Sequence, residues 1–233
     1  MRTSRLLAII AVVVGAIGLT PGIAAAAQAT TYCNGALPAG NYRKVVVPPD
    51  QVCFADHTGV HISHGLLVRP GATFVLGDEG DPQDPNLTNL DGGVVSNNAA
   101  NVQIHFATIT GGLTLVGGSG PFYEHSAFCD PNQGCITWQT IEDSNITGAV
   151  TITDYNGFWQ GFFRNHVDGS MQFNRNHVVD KDGNEFQTNV ITGDLRCNKN
   201  KPLPQQGDSE GSVNQVGGQA LLECARISEP IQP

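Results

Sequence analysis

Apolar and polar residues alternate with period two over short stretches of this chain, and one such stretch recurs. Ile109-Thr-Gly111-Gly-Leu113-Thr-Leu115 returns as Ile146-Thr-Gly148-Ala-Val150-Thr-Ile152, as Val167-Asp-Gly169-Ser-Met171-Gln-Phe173 and as Ile191-Thr-Gly193-Asp-Leu195-Arg-Cys197. Fainter copies are Ile62-Ser-His64-Gly-Leu66-Leu-Val68 and Val216-Gly-Gly218-Gln-Ala220-Leu-Leu222, and Leu90-Asp-Gly92-Gly-Val94 is a truncated one. Period two predicts that each copy is a strand with its apolar side chains on one face. Gly148, Gly169, Gly193 and Gly218 are 21, 24 and 25 residues apart. That spacing matches one coil of a parallel β-helix and is far short of a propeller blade of ~40 residues. The 37-residue step from Gly111 to Gly148 is one coil with an inserted loop, 117–139, carrying the ring Cys129-Asp-Pro-Asn-Gln-Gly-Cys135. The predicted fold is therefore all-β, a parallel β-helix (solenoid) of about six or seven coils of 21–25 residues.

Stacked coils bring further residues into register. Asn165, Asn189 and Asn214 each precede a repeat glycine by four positions, so they are expected to form a column whose side chains bond to the coils above and below. Arg164-Asn165-His166-Val167 and Arg175-Asn176-His177-Val178 are offset by 11 residues, half a coil, which predicts two similar corners per circuit. The ends of such a stack are open sheet edges that need covering. The expected layout is 1–27 as signal peptide, 28–60 as cap and first coil, 61–224 as β-helix and 225–233 as tail.

Composition sharpens the class. Charged residues make up only 14%, with 28 Gly and 18 Asn, which favours strands and turns over helices. Arg2 and Arg5 precede an apolar run, Leu6 to Leu19, followed by Pro21-Gly22 and the small residues Ala24 to Ala27. This is the layout of a secretory signal peptide cleaved after Ala27 or Ala29, and the run is short against the ~20 residues of a membrane span. Its removal leaves 10 basic and 21 acidic residues, a net charge of −11 against −9 for the whole chain. Such a balance argues against nucleic acid as a partner, because phosphate surfaces select clustered Lys and Arg. The expected location is secreted or extracellular, with association at the cell surface open, no membrane span and no cofactor.

Export gives the six cysteines a meaning, since an even number in an oxidising compartment points to disulfides. Six cysteines allow 15 pairings. Their grouping into early, middle and late pairs predicts Cys33–Cys53, Cys129–Cys135 and Cys197–Cys224, the last locking neighbouring coils. No C-x-x-C spacing supports a metal.

Val45-Val-Val-Pro48-Pro-Asp-Gln-Val-Cys53-Phe, Leu67-Val-Arg-Pro70-Gly-Ala-Thr-Phe-Val-Leu76 and Ile191-Thr-Gly-Asp-Leu-Arg-Cys197-Asn-Lys-Asn200-Lys-Pro202 resemble segments of exported actinobacterial proteins of unassigned activity. Those proteins are similar to right-handed parallel β-helices. The resemblance spans most of 33–224 and implies a fold but no catalytic residue; His64 and the loop 117–139 depart from the pattern.

Many β-helices act on polysaccharides, though fold alone does not establish function. Asp168 and Asp194 are expected on neighbouring coils about 8 Å apart, within the ~6.5–9.5 Å separation of an inverting glycosidase, with Arg196 placed to hold an acidic sugar. Against this, paired Asp residues on a polar strand face are usually only solvated, and the fold's hydrolase signatures N-T-D, D-D, G-H-G and R-I-K are absent. Tyr155 and Trp159 lie in an aromatic-rich run and are candidates for stacking on sugar rings or for filling a core corner. His57, His61 and His64 have a spacing that suggests metal, but His64 falls on the opposite strand face. Asp180-Lys-Asp182-Gly-Asn184-Glu185 reads as a turn with its Gly misplaced for a calcium loop, and Asp78 to Asp84 as a solvated acidic loop. The leading expectation is a non-catalytic exported protein binding extracellular polysaccharide. A polysaccharide lyase or inverting hydrolase is the alternative. A self-assembling structural protein, resembling the bactofilins, is the third; the sequence sets no oligomeric state.

Overall fold

The repeated run is divided between two strands. Thr108–Thr110 and Leu113–Val116 belong to different sheets, and Gly111-Gly112 is the corner between them. Gly112 and Gly148 have φ of 84° and 116°, a region that only glycine enters freely. A Cβ on Gly148 would lie 2.9 Å from the Gly112 nitrogen, so two circuits meet here backbone to backbone. The expectation that each copy is one strand is corrected accordingly. A two-residue corner preserves even spacing, so Ile109, Leu113 and Leu115 all stay buried and the alternation runs unbroken through the bend.

The structure, a computed structural model, describes residues 30–55, 59–77, 88–207 and 211–231. The expected signal peptide, His57 and the acidic run from Asp78 to Asp84 lie outside the described residues. Apart from one hairpin, the described strands fall in three all-parallel sheets that the chain visits in rotation. The first sheet runs from Thr30–Tyr32 through Leu113–Val116 to Ala220–Leu222, the second from Gly35–Leu37 to Glu185–Gln187, and the third from Gly40–Tyr42 to Ser228–Pro230. Nine strands form each of the first and third sheets and seven the second, against six or seven circuits expected. The segment read as a tail contributes a strand, Ser228–Pro230, paired with Asn214–Val216.

Parallel pairing stacks like residues. In the third sheet Leu90, Ile109, Ile146, Val167 and Ile191 follow one another, and in the second Ile104, Ile141, Phe162 and Phe186. All are at most 1% exposed and form one continuous core with the first sheet. Phe186 closes it by stacking on Phe162 at 5.3 Å and meeting Phe173 of the first sheet at 5.4 Å. Burying each such side chain is worth about 1.5–3 kcal/mol.

The corners between the second and third sheets carry the predicted asparagine column. Residues entering this corner, Asp143, Arg164 and Thr188, take φ of 51°, 51° and 56°, at a cost of about 1–2 kcal/mol each for residues with a Cβ. The next residues repair the exposed backbone. The Ser144 N–H donates to Asn165 Oδ1 (3.1 Å), the Asn165 N–H to Asn189 Oδ1 (2.9 Å) and the Asn189 N–H to Asn214 Oδ1 (3.1 Å). Each carboxamide nitrogen donates to a carbonyl of the circuit before: Asn165 to Ile141, Asn189 to Phe162 and Asn214 to Phe186. The corner between the first and second sheets repeats the device, with the Tyr155 N–H on Asn176 Oδ1 and the Asn176 N–H on Asn200 Oδ1, both at 3.1 Å. The half-coil offset between the two Arg-Asn-His-Val runs is thus the spacing of two corners.

Three disulfides join Cys33–Cys53, Cys129–Cys135 and Cys197–Cys224, and no cysteine is free. The middle one closes the antiparallel hairpin Phe128–Asp130 and Gly134–Ile136 inside the expected loop. That loop is tied down by the Tyr123 hydroxyl on Asp50 and by Asn101, which donates to Ser126 Oγ (2.9 Å) and accepts the Trp138 N–H (2.7 Å).

Replacing Asn189 with Ala strands the buried Asn165 N–H and Phe162 carbonyl. An unfolding free energy lower by about 2–4 kcal/mol is expected, read from urea curves with unchanged slope. Asn41→Ala, at an exposed strand position, is expected within about 0.5 kcal/mol of wild type.

Candidate functional site

The nine-stranded third sheet offers a polar outer surface. Its strands alternate, so residues flanking the buried column face solvent. Pairing sets His61, Asn89, Thr108, Asn145 and His166 in one outer column, and Asp91, Thr110, Thr147 and Asp168 in the next. Neighbours in these columns are about 4.8 Å apart and the columns themselves about 6.8 Å. Several positions are held by cross-strand bonds: Asn89 Nδ2 to His61 Nδ1 at 3.0 Å, Thr110 to Asp91, and Thr192 Oγ1 to Asp168 Oδ1 at 3.2 Å. Asn145, Thr147 and His166 are exposed and make no side-chain hydrogen bond among the described residues.

Asp168, Asp194 and Arg196 do not share a strand face. Asp168 ends a third-sheet strand and accepts from Thr192, whereas Asp194 lies in the corner before the first-sheet strand Leu195–Asn198. Asp194 Oδ1 accepts the Gln219 N–H at 2.8 Å, holding the next circuit's corner. Arg196 projects from the first sheet between Gln172 and Leu221. The corner that divides the repeat thus also divides this trio.

Tyr155 and Trp159 are 2% and 8% exposed, so their ring faces meet protein. Trp159 packs on Trp138 at 4.4 Å and its Nε1–H donates to Glu185 Oε1 at 3.3 Å. Burial pushes the Tyr155 phenol up. Both rings take the core-filling role rather than presenting a stacking platform. His64 Nδ1 pairs with Ser63 Oγ at 2.9 Å, and no group of three or more His, Cys, Asp or Glu that could hold a metal occurs among the described residues. The run from Asp180 forms a turn, with the Asp182 N–H on Asp180 Oδ1 at 3.1 Å.

Two clusters carry charge that the sequence did not single out. On the second sheet, Glu142 is 2% exposed and accepts from Thr140 Oγ1 (2.6 Å) and Arg164 Nη2 (2.8 Å). His105, also buried, lies 3.8 Å away, and Arg164 also grips Asp143 through Nε at 2.7 Å. Desolvation holds the Glu142 carboxyl above its ordinary range, while Thr140 and Arg164 pull it down. The second cluster lines a cleft at the corner between the first and second sheets, formed by Asp154, Tyr155, Asn156, Arg175, His177 and Lys199. Arg175 holds Asp154 through Nε–Oδ1 at 2.6 Å and Nη2–Oδ2 at 2.7 Å, which keeps that carboxyl below its usual range.

No family model, curated protein or solved structure matches the chain. The site must therefore be read from its own chemistry. Glu142 is held by Thr140 and Arg164, and Arg164 also by Asp143, so the second-sheet cluster reads as an ion-pair network that fixes a corner.

A raised folded-state carboxyl binds its proton more tightly than the unfolded chain does. Stability linked to Glu142 is therefore present at low pH and is lost as pH rises through its ordinary value towards the raised one. Glu142→Gln removes that loss. Its stability relative to wild type is expected to increase as pH rises above the ordinary glutamate value of about 4.3, measured as urea midpoints along that rise.

Proposed function

We propose that this chain is an exported parallel β-helix that binds extracellular polysaccharide without cleaving it, along the outer face of the third sheet. The observation that carries the reading is the pair of in-register columns around Asn145, Thr147 and His166. Amide, hydroxyl and imidazole groups at a fixed repeat offer both donors and acceptors to sugar hydroxyls. A repeating ligand meets a repeating surface, so weak contacts add along the strand stack. Cross-strand bonds already order flanking members, which reduces the side-chain freedom lost on binding.

Three disulfides fit an oxidising compartment, and no helix among the described residues is long and apolar enough to cross a membrane. These support export, together with the N-terminal layout of Arg2, Arg5 and the apolar run that follows. Circuits of 21–25 residues and three parallel sheets visited in rotation support the β-helix.

A glycan array followed by calorimetry on the strongest ligand tests the assignment. The triple variant Asn145→Ala, Thr147→Ala, His166→Ala is expected to bind at least about tenfold more weakly with an unchanged urea midpoint, since all three side chains are exposed. Unaltered affinity in that variant, release of reducing ends from the bound glycan, or no glycan binding at all would overturn it.

A further inference from the structure

The cleft at the corner between the first and second sheets has a volume of about 360 Å³, within the ~300–1,000 Å³ range of small-molecule sites. Three successive circuits build it. Asp154 and Asn156 come from one, Arg175 and His177 from the next, and Lys199 from the third. Its lining residues adjoin in sequence the buried ladder of Tyr155, Asn176 and Asn200, locked at its far end by Glu223, which accepts the Asn200 N–H at 3.1 Å. The walls are thus mounted on rigid backbone.

The charges in the cleft do not cancel. Arg175 and Asp154 satisfy one another in a two-point pair. The Lys199 ammonium makes no ion pair or side-chain hydrogen bond among the described residues. His177 Nε2 lies 3.1 Å from the Lys199 carbonyl. A carbonyl can only accept, so Nε2 carries the proton and Nδ1 of the neutral ring is an acceptor. Asn156 is exposed and offers both a donor and an acceptor. One unpaired cation beside an already neutralised pair suits a single negative charge, and the acceptor and amide suit hydroxyls on the same ligand.

We propose that this cleft is a binding site for a carboxylated sugar residue, its carboxylate on Lys199 and its hydroxyls on His177 Nδ1 and Asn156. The proposal is independent of the third-sheet surface, which lies on a different face of the stack.

Calorimetry of the full chain with trigalacturonate, with its methyl ester and with inorganic sulfate tests it. Wild type is expected to bind trigalacturonate at least about tenfold more tightly than either of the others. Lys199→Met and Asn156→Ala are each expected to weaken that binding, the first by about tenfold or more. Lys44→Met, which removes a charge from the distant strand Lys44–Val47, is expected to leave it unchanged. Lys199 and Asn156 are exposed, so matching urea midpoints make any loss local. Equal binding of the methyl ester, undiminished binding by Lys199→Met, equal competition by sulfate, or no binding of trigalacturonate each overturns the proposal.

Discussion

The corner N–H is the group on which this structure depends. Within a sheet, inner strands pair their backbone donors and acceptors with the neighbouring strands, but at a corner the ladder breaks while the chain remains buried. An unpaired buried amide costs about 1–3 kcal/mol, and the penalty recurs at every circuit. The chain meets it with a side chain that carries both an acceptor and a donor. Asn165, Asn189 and Asn214 each accept the corner N–H of the preceding circuit and donate to one of its carbonyls. Ser144 does half of this, accepting from Ala107 at 3.2 Å. Where residues are smaller still, as at Ala72 and Ala99, the corner relies on backbone pairs such as Ala100 N–H to the Ala72 carbonyl at 2.9 Å.

With the corners self-sufficient, chemistry can be placed on what projects from them. Charged corner residues in the left-handed conformation are partly or fully exposed and recur along two edges of the stack. On one edge this yields Asp143 and Arg164, on the other Asp154, Arg175 and Lys199. Opposite charges in successive circuits pair, and the run that ends with two cations leaves the second without a partner. The same geometry that forces strain on these residues therefore sets up their electrostatics.

Much of the fold was legible because the sequence repeats. The asparagine column follows from three equal offsets, and the three disulfides from the grouping of six cysteines. The division of the repeat into two strands was hidden, since Gly111-Gly112 turns the chain without disturbing the inward parity of Ile109 and Leu113. The second sheet was opaque for another reason. Trp159–Phe163 is buried at all five positions, so no alternation reports which residues face the core, and the ion pair of Glu142 with Arg164 depends on a register that no local pattern displays. Tyr155 and Trp159 looked like binding aromatics because composition carries no information about which side of a corner they occupy.

The ladders also have a direction. In the asparagine ladders each corner N–H points towards the following circuit, so these dipoles align along the stack as peptide dipoles do in an α-helix, with the positive end at the last rung. In the Asn176–Asn200 column that end meets Glu223, whose carboxylate gathers the Lys199 N–H at 2.7 Å, the Asn200 N–H and the Asn200 carboxamide at 2.7 Å. An anion at the positive pole is favourable, and a carboxylate has no hydrogen to hand on. Glutamate at this position therefore meets the positive end of the column with a full negative charge and ends its run of side-chain amides.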